Sequence, residues 1–367
     1  MDSLEVFGIK KEKSYIEELL NSNIDVIKNQ HIKVHDINDQ IIMNDKDELI
    51  LTDKLLGKGT YGTVILGLII NKENRIEKKE VAVKIPDKEI NLKLYNLLIE
   101  NTIHGLLTLN KEIQEYIPKL NYFFYEPNDE NIITIMEKLD GTINDIFKKY
   151  RKEGNKKIYD KFVLSYILQI SYAIYRINQN NYVFSHRDLK PNNTGFNIIK
   201  AGSDLYDMGD YKFVYPNFGY RYKIIDFGLS CIEYKDRYLS RESLQNNVCK
   251  SFSRDITNFI FVFLNYNYKI LSNEIIGYFG YLLDVTDNCK LWRDVTTKTN
   301  IKKSNIDDNL DTHCSNIEGI DRYLKDYLYH PEFDNSKTYP ESIIKDISQD
   351  ILPYSSEAVD YYQSLTK

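Results

Sequence analysis

The sequence predicts an α+β protein of two lobes: a small five-stranded antiparallel sheet with one helix, then a larger, mainly helical lobe. Three observations carry this expectation. Short β-branched runs dominate residues 49–137, one stretch at helical spacing interrupts them, and apolar residues at helical spacing dominate the chain after Glu137. With 367 residues, 42% hydrophobic and 28% charged, the chain can bury a sizeable core and lies outside disordered compositions.

Residues 1–48 read as a polar N-terminal extension with a helix at "KSYIEELLNSN", where Ile16, Leu19 and Leu20 share a face. "ELILTDKLLGKG" and "TVILGLII" are apolar runs joined by a glycine-rich turn, which is a hairpin signal. "EVAVKI" is a third strand closed by Pro86, and "INLKLYNLLIENTIHGLLTL" carries Leu94, Leu97, Leu98 and Leu106 at helical spacing. "LNYFFYE" and "NIITIME" complete the five strands. After Glu137, Thr142 and Asp145 resemble a capping box at the start of "TINDIFKKY". "KFVLSYILQISYAIYRINQNN" is long and apolar enough for a buried central helix. Strands around "TGFNIIK" and "YKIIDFG" interrupt the helices, and "ITNFIFVFLNY" and "SNEIIGYFGYLLDV" are apolar on several faces. The expected division is therefore 1–48, 49–137, 138–335 with an insertion at about 198–222, and a helical tail at 336–367. A cleft between two such lobes is a favoured ligand site.

Composition excludes several classes. A net charge of −6 argues against a general nucleic-acid or anionic-membrane binder. No run of 18 apolar residues occurs and no signal segment follows Met1, so a soluble, intracellular and cytoplasmic protein is expected. Cys231, Cys249, Cys289 and Cys314 lack C-x-x-C spacing and read as free buried thiols. His31 and His35 have no third ligand at a telling spacing and read as a solvated pair. Alanine occurs only at positions 82, 173, 201 and 358 beside 30 tyrosines, a bias expected of an A/T-rich coding genome.

Gly57, Gly59 and Gly62 occupy the first hairpin turn in "GKGTYGTV". Without Cβ atoms, backbone N–H groups there can approach phosphate oxygens, although a plain hairpin turn would look the same. A strand follows, so this is not a dinucleotide fingerprint, and the Lys-Ser/Thr of a Walker loop is missing. Lys84 ends the third strand and can hold phosphates as a point charge once an acidic group fixes it. Glu100 on the following helix is the better placed partner, because Glu89 falls at the helix entrance. In "SHRDLKPNN", Asp188 can orient an attacking hydroxyl and accept its proton. Lys190 can neutralise a transferring phosphoryl group, and Asn193 offers an amide oxygen to a hard cation. Asp226, in "DFG", supplies a carboxylate to join metal and phosphates.

With G-x-G-x-x-G-x-V at 57–64, V-A-V-K at 81–84, H-R-D-L-K-P-N-N at 186–193 and D-F-G at 226–228, the chain resembles eukaryotic-type serine/threonine protein kinases. The likeness is divergent and spans roughly 49–255. It implies ATP and Mg²⁺ as cofactors, Ser/Thr hydroxyls of protein substrates as acceptors, and no nucleic-acid or membrane partner. Gly57, Lys58, Gly59, Thr60, Tyr61, Gly62, Val64, Ala82 and Lys84 would line the nucleotide site. Met136 would be the gatekeeper, with Glu137 and Leu139 as backbone partners of the adenine. Asp188, Lys190, Asn193, Lys84 and Glu100 would be catalytic, and Asn193 and Asp226 would hold the metal. Phe227 and His186 would pack in the internal spine, and Asp255 would anchor the catalytic loop. Such an alanine-poor kinase also resembles those of giant DNA viruses, with an A/T-rich protist as the alternative source.

Two departures from the family stand out. Asn193 and Asp226 lie 33 positions apart, longer than usual, and "AGSDLYDMGDYKFVYPNFGYRY" reads as an inserted aromatic hairpin or loop. Both a docking surface and a packing role are open for it. The segment from Asp226 to Asp255 is short and lacks A-P-E. Arg187 would pair there with a phosphorylated residue, for which Ser230, Ser240, Ser243, Ser251 and Ser253 are possible sites, or with Glu233, Asp236 or Glu242. A catalytically silent scaffold and a small-molecule kinase of similar fold are the alternative functions.

Overall fold

In a computed structural model, the described residues are 40–42, 47–59, 62–71, 73, 78–87, 94–126, 131–153, 155–179, 182–234, 237–240, 249, 252–283 and 335–364. They fall into two compact units, Met1–Asp140 with Ile225–Ser230 and Leu239–Ser243, and Gly141–Ile224 with Cys231–Tyr238 and Leu244–Lys367. The D-F-G triplet is thus grouped with the first unit, although it lies inside the 138–335 span of the sequence. The expected helix at "KSYIEELLNSN", His31, His35, Glu89, Cys289 and Cys314 lie outside the described residues.

The first unit is an antiparallel sheet of strands β1 (Gln40–Ile42), β2 (Asp47–Gly59), β3 (Gly62–Asn71), β4 (Lys78–Pro86), β5 (Leu120–Glu126) and β6 (Asn131–Glu137), ordered β1-β2-β3-β4-β6-β5. The five expected strands are all present. The sixth, β1, comes from the stretch read as extension and lies against the start of β2, with Ile41 opposite Leu49. Alternation along the strands sends Leu49, Val81, Val83, Ile133 and Ile135 into one core. Gly67 is needed there, because a Cβ would stand 2.7 Å from Val83 and 2.9 Å from Leu49. Helix α1 (Leu94–Leu109) packs Leu97 against Ile132 of β6.

The second unit is mainly helical. Strand β7 (Gly141–Thr142) leads into α2 (Ile143–Glu153), and α3 (Lys156–Gln179) is its central helix, buried without interruption from 162 to 175. At the start of α2, Asp145 accepts from both the Thr142 backbone N–H and its hydroxyl, each at 3.0 Å. Only the returning half of the expected capping box is therefore seen. Strand β8 (Tyr182–Ser185) precedes the loop to β9 (Thr194–Ile198). Strands β10 (Ser203–Asp207) and β11 (Lys212–Pro216) form a hairpin before β12 (Tyr220–Ile224), which pairs back on β9. The insertion is thus a hairpin, and its inner face packs. Tyr206 is 1% exposed with its ring 5.0 Å from that of Tyr172 on α3. The Tyr172 hydroxyl also donates to the Asp207 carbonyl and accepts from its N–H, both at 3.0 Å.

Strand β13 (Cys231–Tyr234) pairs with β8, followed by β14 (Arg237–Ser240). Then come α4 (Phe252–Asn267), α5 (Asn273–Leu283), α6 (Pro340–Ser348) and α7 (Ser356–Ser364). The last helix lies on α5 where a small residue is required, since a Cβ at Gly280 would stand 2.0 Å from that of Ala358. The expectation of free thiols is corrected for one pair: Cys231 and Cys249 form a disulfide. They are 18 residues apart in sequence, a spacing that signals nothing by itself. Folding brings their Cα atoms to 5.8 Å, within the range a disulfide spans. No helix among the described residues is long and apolar enough to cross a membrane.

Candidate active site

In the first unit the glycine turn joins β2 to β3 with Gly57 opposite Val64, Lys58 opposite Thr63 and Gly59 opposite Gly62. The three glycines are not equivalent. A Cβ at Gly62 would meet the Ile85 carbonyl oxygen at 2.5 Å, so the protein itself excludes a side chain there. A Cβ at Gly57 would meet nothing within 4 Å, and one at Gly59 only a backbone oxygen at 3.9 Å. The open space above these two is what a phosphate cradle requires and a Cβ would fill. Lys58 is exposed at its rim, while Thr60 and Tyr61 lie outside the described residues.

Strand β4 carries Ala82 and Lys84. Ala82 faces Leu66 on β3 and Met136 on β6, and Lys84 lies between Val64 and Thr134. The Lys84 Nζ donates to Glu100 Oε1 and, at 3.0 Å, to Asp226 Oδ1. Burial by itself would lower the Lys84 pKa, but the Glu100 and Asp226 carboxylates more than reverse this, so it is raised and the ammonium stays charged. Asp226 has a left-handed backbone with φ of 66°, a conformation that costs about 1–2 kcal/mol and that aspartate tolerates better than most residues. Gly228 leaves room for the pair, since a Cβ there would press on Glu100 Oε2 at 3.3 Å. The edge of the site is fixed at Glu137. Its N–H donates to the Lys119 carbonyl at 2.8 Å, and its carboxylate accepts from the Lys119 N–H at 2.9 Å. Leu139 follows the end of β6, half-buried.

One turn beyond Glu100, His104 occupies a position where an apolar residue is expected. It is 5% exposed, its ring lies 5.1 Å from that of Phe227, and its Nε2 is 2.6 Å from the Pro118 carbonyl oxygen. Burial pushes the imidazole down to about 4, with the Lys84 charge also acting against protonation. A neutral imidazole thus fills an apolar position and also ties α1 to the entrance of β5.

In the second unit β8 feeds the loop that carries Asp188, Lys190 and Asn193. Lys190 Nζ donates to both Asp188 carboxylate oxygens at 2.8 and 3.0 Å. Asn193 Nδ2 donates to the Asp188 carbonyl at 2.7 Å and to its Oδ2 at 2.9 Å. Its nitrogen is committed, so Oδ1 is the atom presented to a hard cation. Asp255 on α4 is 1% exposed and accepts from the His186 N–H at 2.6 Å and the Arg187 N–H at 2.7 Å. Burial raises its pKa, and the His186 charge and these backbone donors work against that rise. The loop is therefore hung from a buried carboxylate, which fixes Arg187 in a left-handed conformation with φ of 64°.

Three residues escaped the sequence reading. Asn258 Nδ2 donates to the Leu189 carbonyl at 2.8 Å, one turn after Asp255 on the same helix. Its position three residues after Asp255, on the same face of the helix, is the signal that could have found it. Thr134 Oγ1 donates at 2.8 Å to Asn101, the neighbour of Glu100, joining β6 to α1. Tyr238 accepts at 2.8 Å from Arg187 Nη2. The last two had no sequence signal, because the partners are distant along the chain.

Comparison with known proteins matches residues 50–252, more than half of the chain, to the protein kinase domain. A protein of Acanthamoeba polyphaga mimivirus named as a putative serine/threonine-protein kinase is 26% identical over 206 residues, 55% of this chain and 42% of that protein. The rat and mouse serine/threonine-protein kinases ICK are each 27% identical over 161 residues, 44% of this chain and 22% of theirs. The chain spans less than half the length of these relatives.

Proposed function

The chain belongs to the protein kinase domain family, and on that premise we propose that it transfers the γ-phosphoryl group of ATP, with Mg²⁺, to Ser/Thr hydroxyls of proteins. The observation that carries the proposal is the Lys84 ammonium bonded to both Glu100 and Asp226. These partners lie 16 and 142 residues away along the chain, and the fold brings both to the one ammonium assigned to phosphate binding.

Each residue has a task. The backbone at Gly57 and Gly59 closes over phosphate oxygens, and Lys84 holds them with its charge. Asp226, whose carboxylate is half-exposed, and Asn193, through its Oδ1, would be the residues to hold Mg²⁺, which when bound would neutralise phosphate charge. Asp188 orients the acceptor hydroxyl and takes its proton as the new oxygen–phosphorus bond forms and the bond to the bridging oxygen breaks, releasing ADP. Lys190, already held by Asp188, balances charge on the group in flight. The lysine two positions after Asp188, together with the names of the viral and rodent relatives, supports Ser/Thr acceptors.

The test is transfer of label from γ-labelled ATP to generic protein acceptors, wild type beside Asp188→Ala, followed by phosphosite mapping. Wild type should label Ser or Thr, and the variant should lose about 10²–10⁴-fold in rate while keeping its thermal shift with Mg·ATP. Equal rates would remove Asp188 from its role. A thermal shift without transfer in wild type would favour a silent scaffold.

A further inference from the structure

Arg187 immediately precedes the proposed base Asp188 and is only 4% exposed. A guanidinium buried this deeply must be held by acceptors, because a cation left uncompensated in the interior is costly. Its Nη2 donates to the Tyr238 hydroxyl at 2.8 Å, and its backbone N–H is held by Asp255 at 2.7 Å. Tyr238 belongs to β14, in the segment that follows D-F-G. The strand before it, β13, is laddered to β8 with Cys231 opposite Ser185 and Glu233 opposite Val183. The segment is therefore carried on the same strand that leads into His186 and Arg187. Among the serines considered as phosphate acceptors, Ser230, Ser240 and Ser253 are 1%, 2% and 0% exposed. A modifying enzyme could not reach them without unfolding the segment. Ser243 and Ser251 lie outside the described residues.

We propose that Tyr238 is a positioning residue for phosphoryl transfer. Its hydroxyl holds the Arg187 side chain, and through it Asp188, so that activity does not require a phosphorylated residue within 230–253. The segment supplies its own uncharged ligand for Arg187, and the contact is present from folding onward. The inference rests on the kinase reading above.

The experiment uses the full chain treated with phosphatase and shown by intact mass to be unphosphorylated. Transfer to a generic acceptor is measured for this protein, for the untreated protein and for phosphatase-treated Tyr238→Phe. The unphosphorylated wild type should match the untreated enzyme. Loss of one hydrogen bond to a charged group in Tyr238→Phe should lower kcat about tenfold, with KM for ATP unchanged. Activity that vanishes on dephosphorylation, or a Tyr238→Phe enzyme as fast as wild type, would overturn the proposal. Amide hydrogen exchange at residues 187–189 supplies a readout independent of turnover, and it should quicken in Tyr238→Phe while exchange in α3 stays unchanged. If wild type transfers no phosphate at all, the kinase reading fails and exchange alone decides. Faster exchange at 187–189 keeps the contact as a positioning one, and unchanged exchange rejects it.

Discussion

The two units hold their charged groups by different means. In the first, an ammonium lies between two carboxylates, and the three come from β4, α1 and the D-F-G segment. In the second, the charged residues sit on one short loop that is hung by its backbone from Asp255 and Asn258. Removing Glu100 or Asp226 unbalances the charge on Lys84, whereas removing Asp255 or Asn258 strands backbone donors or an acceptor of the loop. The chemistry assigned to each half suits its construction. Lys84 has to hold anions that come and go, so its own partners are charged. Asp188 has to keep a fixed direction, so its support is a rigid backbone.

The largest test of this contrast is Lys84→Met. It leaves Glu100 and Asp226 facing each other, and both transfer and stability should fall, stability by about 3 kcal/mol. Adding Glu100→Gln should restore much of the stability in a denaturant titration and none of the transfer. Recovery of transfer would mean that Lys84 balances charge and does nothing more.

Asp255→Asn is the matching change in the second unit. The amide keeps one acceptor and turns the other into a donor facing a backbone N–H, costing about 2–3 kcal/mol. Transfer should fall while the thermal shift with ATP survives. Loss of nucleotide binding as well would break the division of labour between the units.

The last test is a difference in pH response, which leaves stability near neutral pH untouched. His104 has a folded pKa of about 4, below its ordinary 6.5, so its contribution is full above pH 6.5 and is lost as pH falls toward 4. That loss approaches roughly 3 kcal/mol over the window. Asp255 has the opposite sign: burial raises its folded pKa, so the stability it contributes is present below the ordinary carboxylate range and is lost as pH rises through the folded value. Comparing thermal unfolding of wild type and His104→Leu between pH 7 and 4 isolates the first response. Equal slopes for the two proteins would show that His104 takes up its proton in the fold as readily as in the unfolded chain.

Much of the site could be read along the chain because its chemistry is local. Asp188, Lys190 and Asn193 lie within six positions, and their mutual hydrogen bonds arise from a loop that reverses direction over that length. The five strands were legible for a similar reason, since alternation and breakers are short-range signals. The added strand β1 was not, because three residues of an otherwise polar stretch become a strand only when the edge of β2 offers them partners. The Cys231–Cys249 pair and the Arg187–Tyr238 bond were hidden in the same way, separated by 18 and 51 positions.

By itself, the sequence determined which chemical groups this protein has and the order in which it presents them: a glycine turn, a strand-end lysine, an aspartate with its asparagine, and a second aspartate before Phe-Gly. Residue type and short spacing suffice for that. Tertiary structure alone decided the partners that spacing along the chain did not name. It added Asp226 to the expected Glu100 on Lys84, Asn258 to the expected Asp255 under the loop, a neutral histidine beside Phe227, and a tyrosine for Arg187. These pairings depend on burial and on long-range approach, and a buried charge or backbone donor must take whatever partner the fold brings within hydrogen-bond reach.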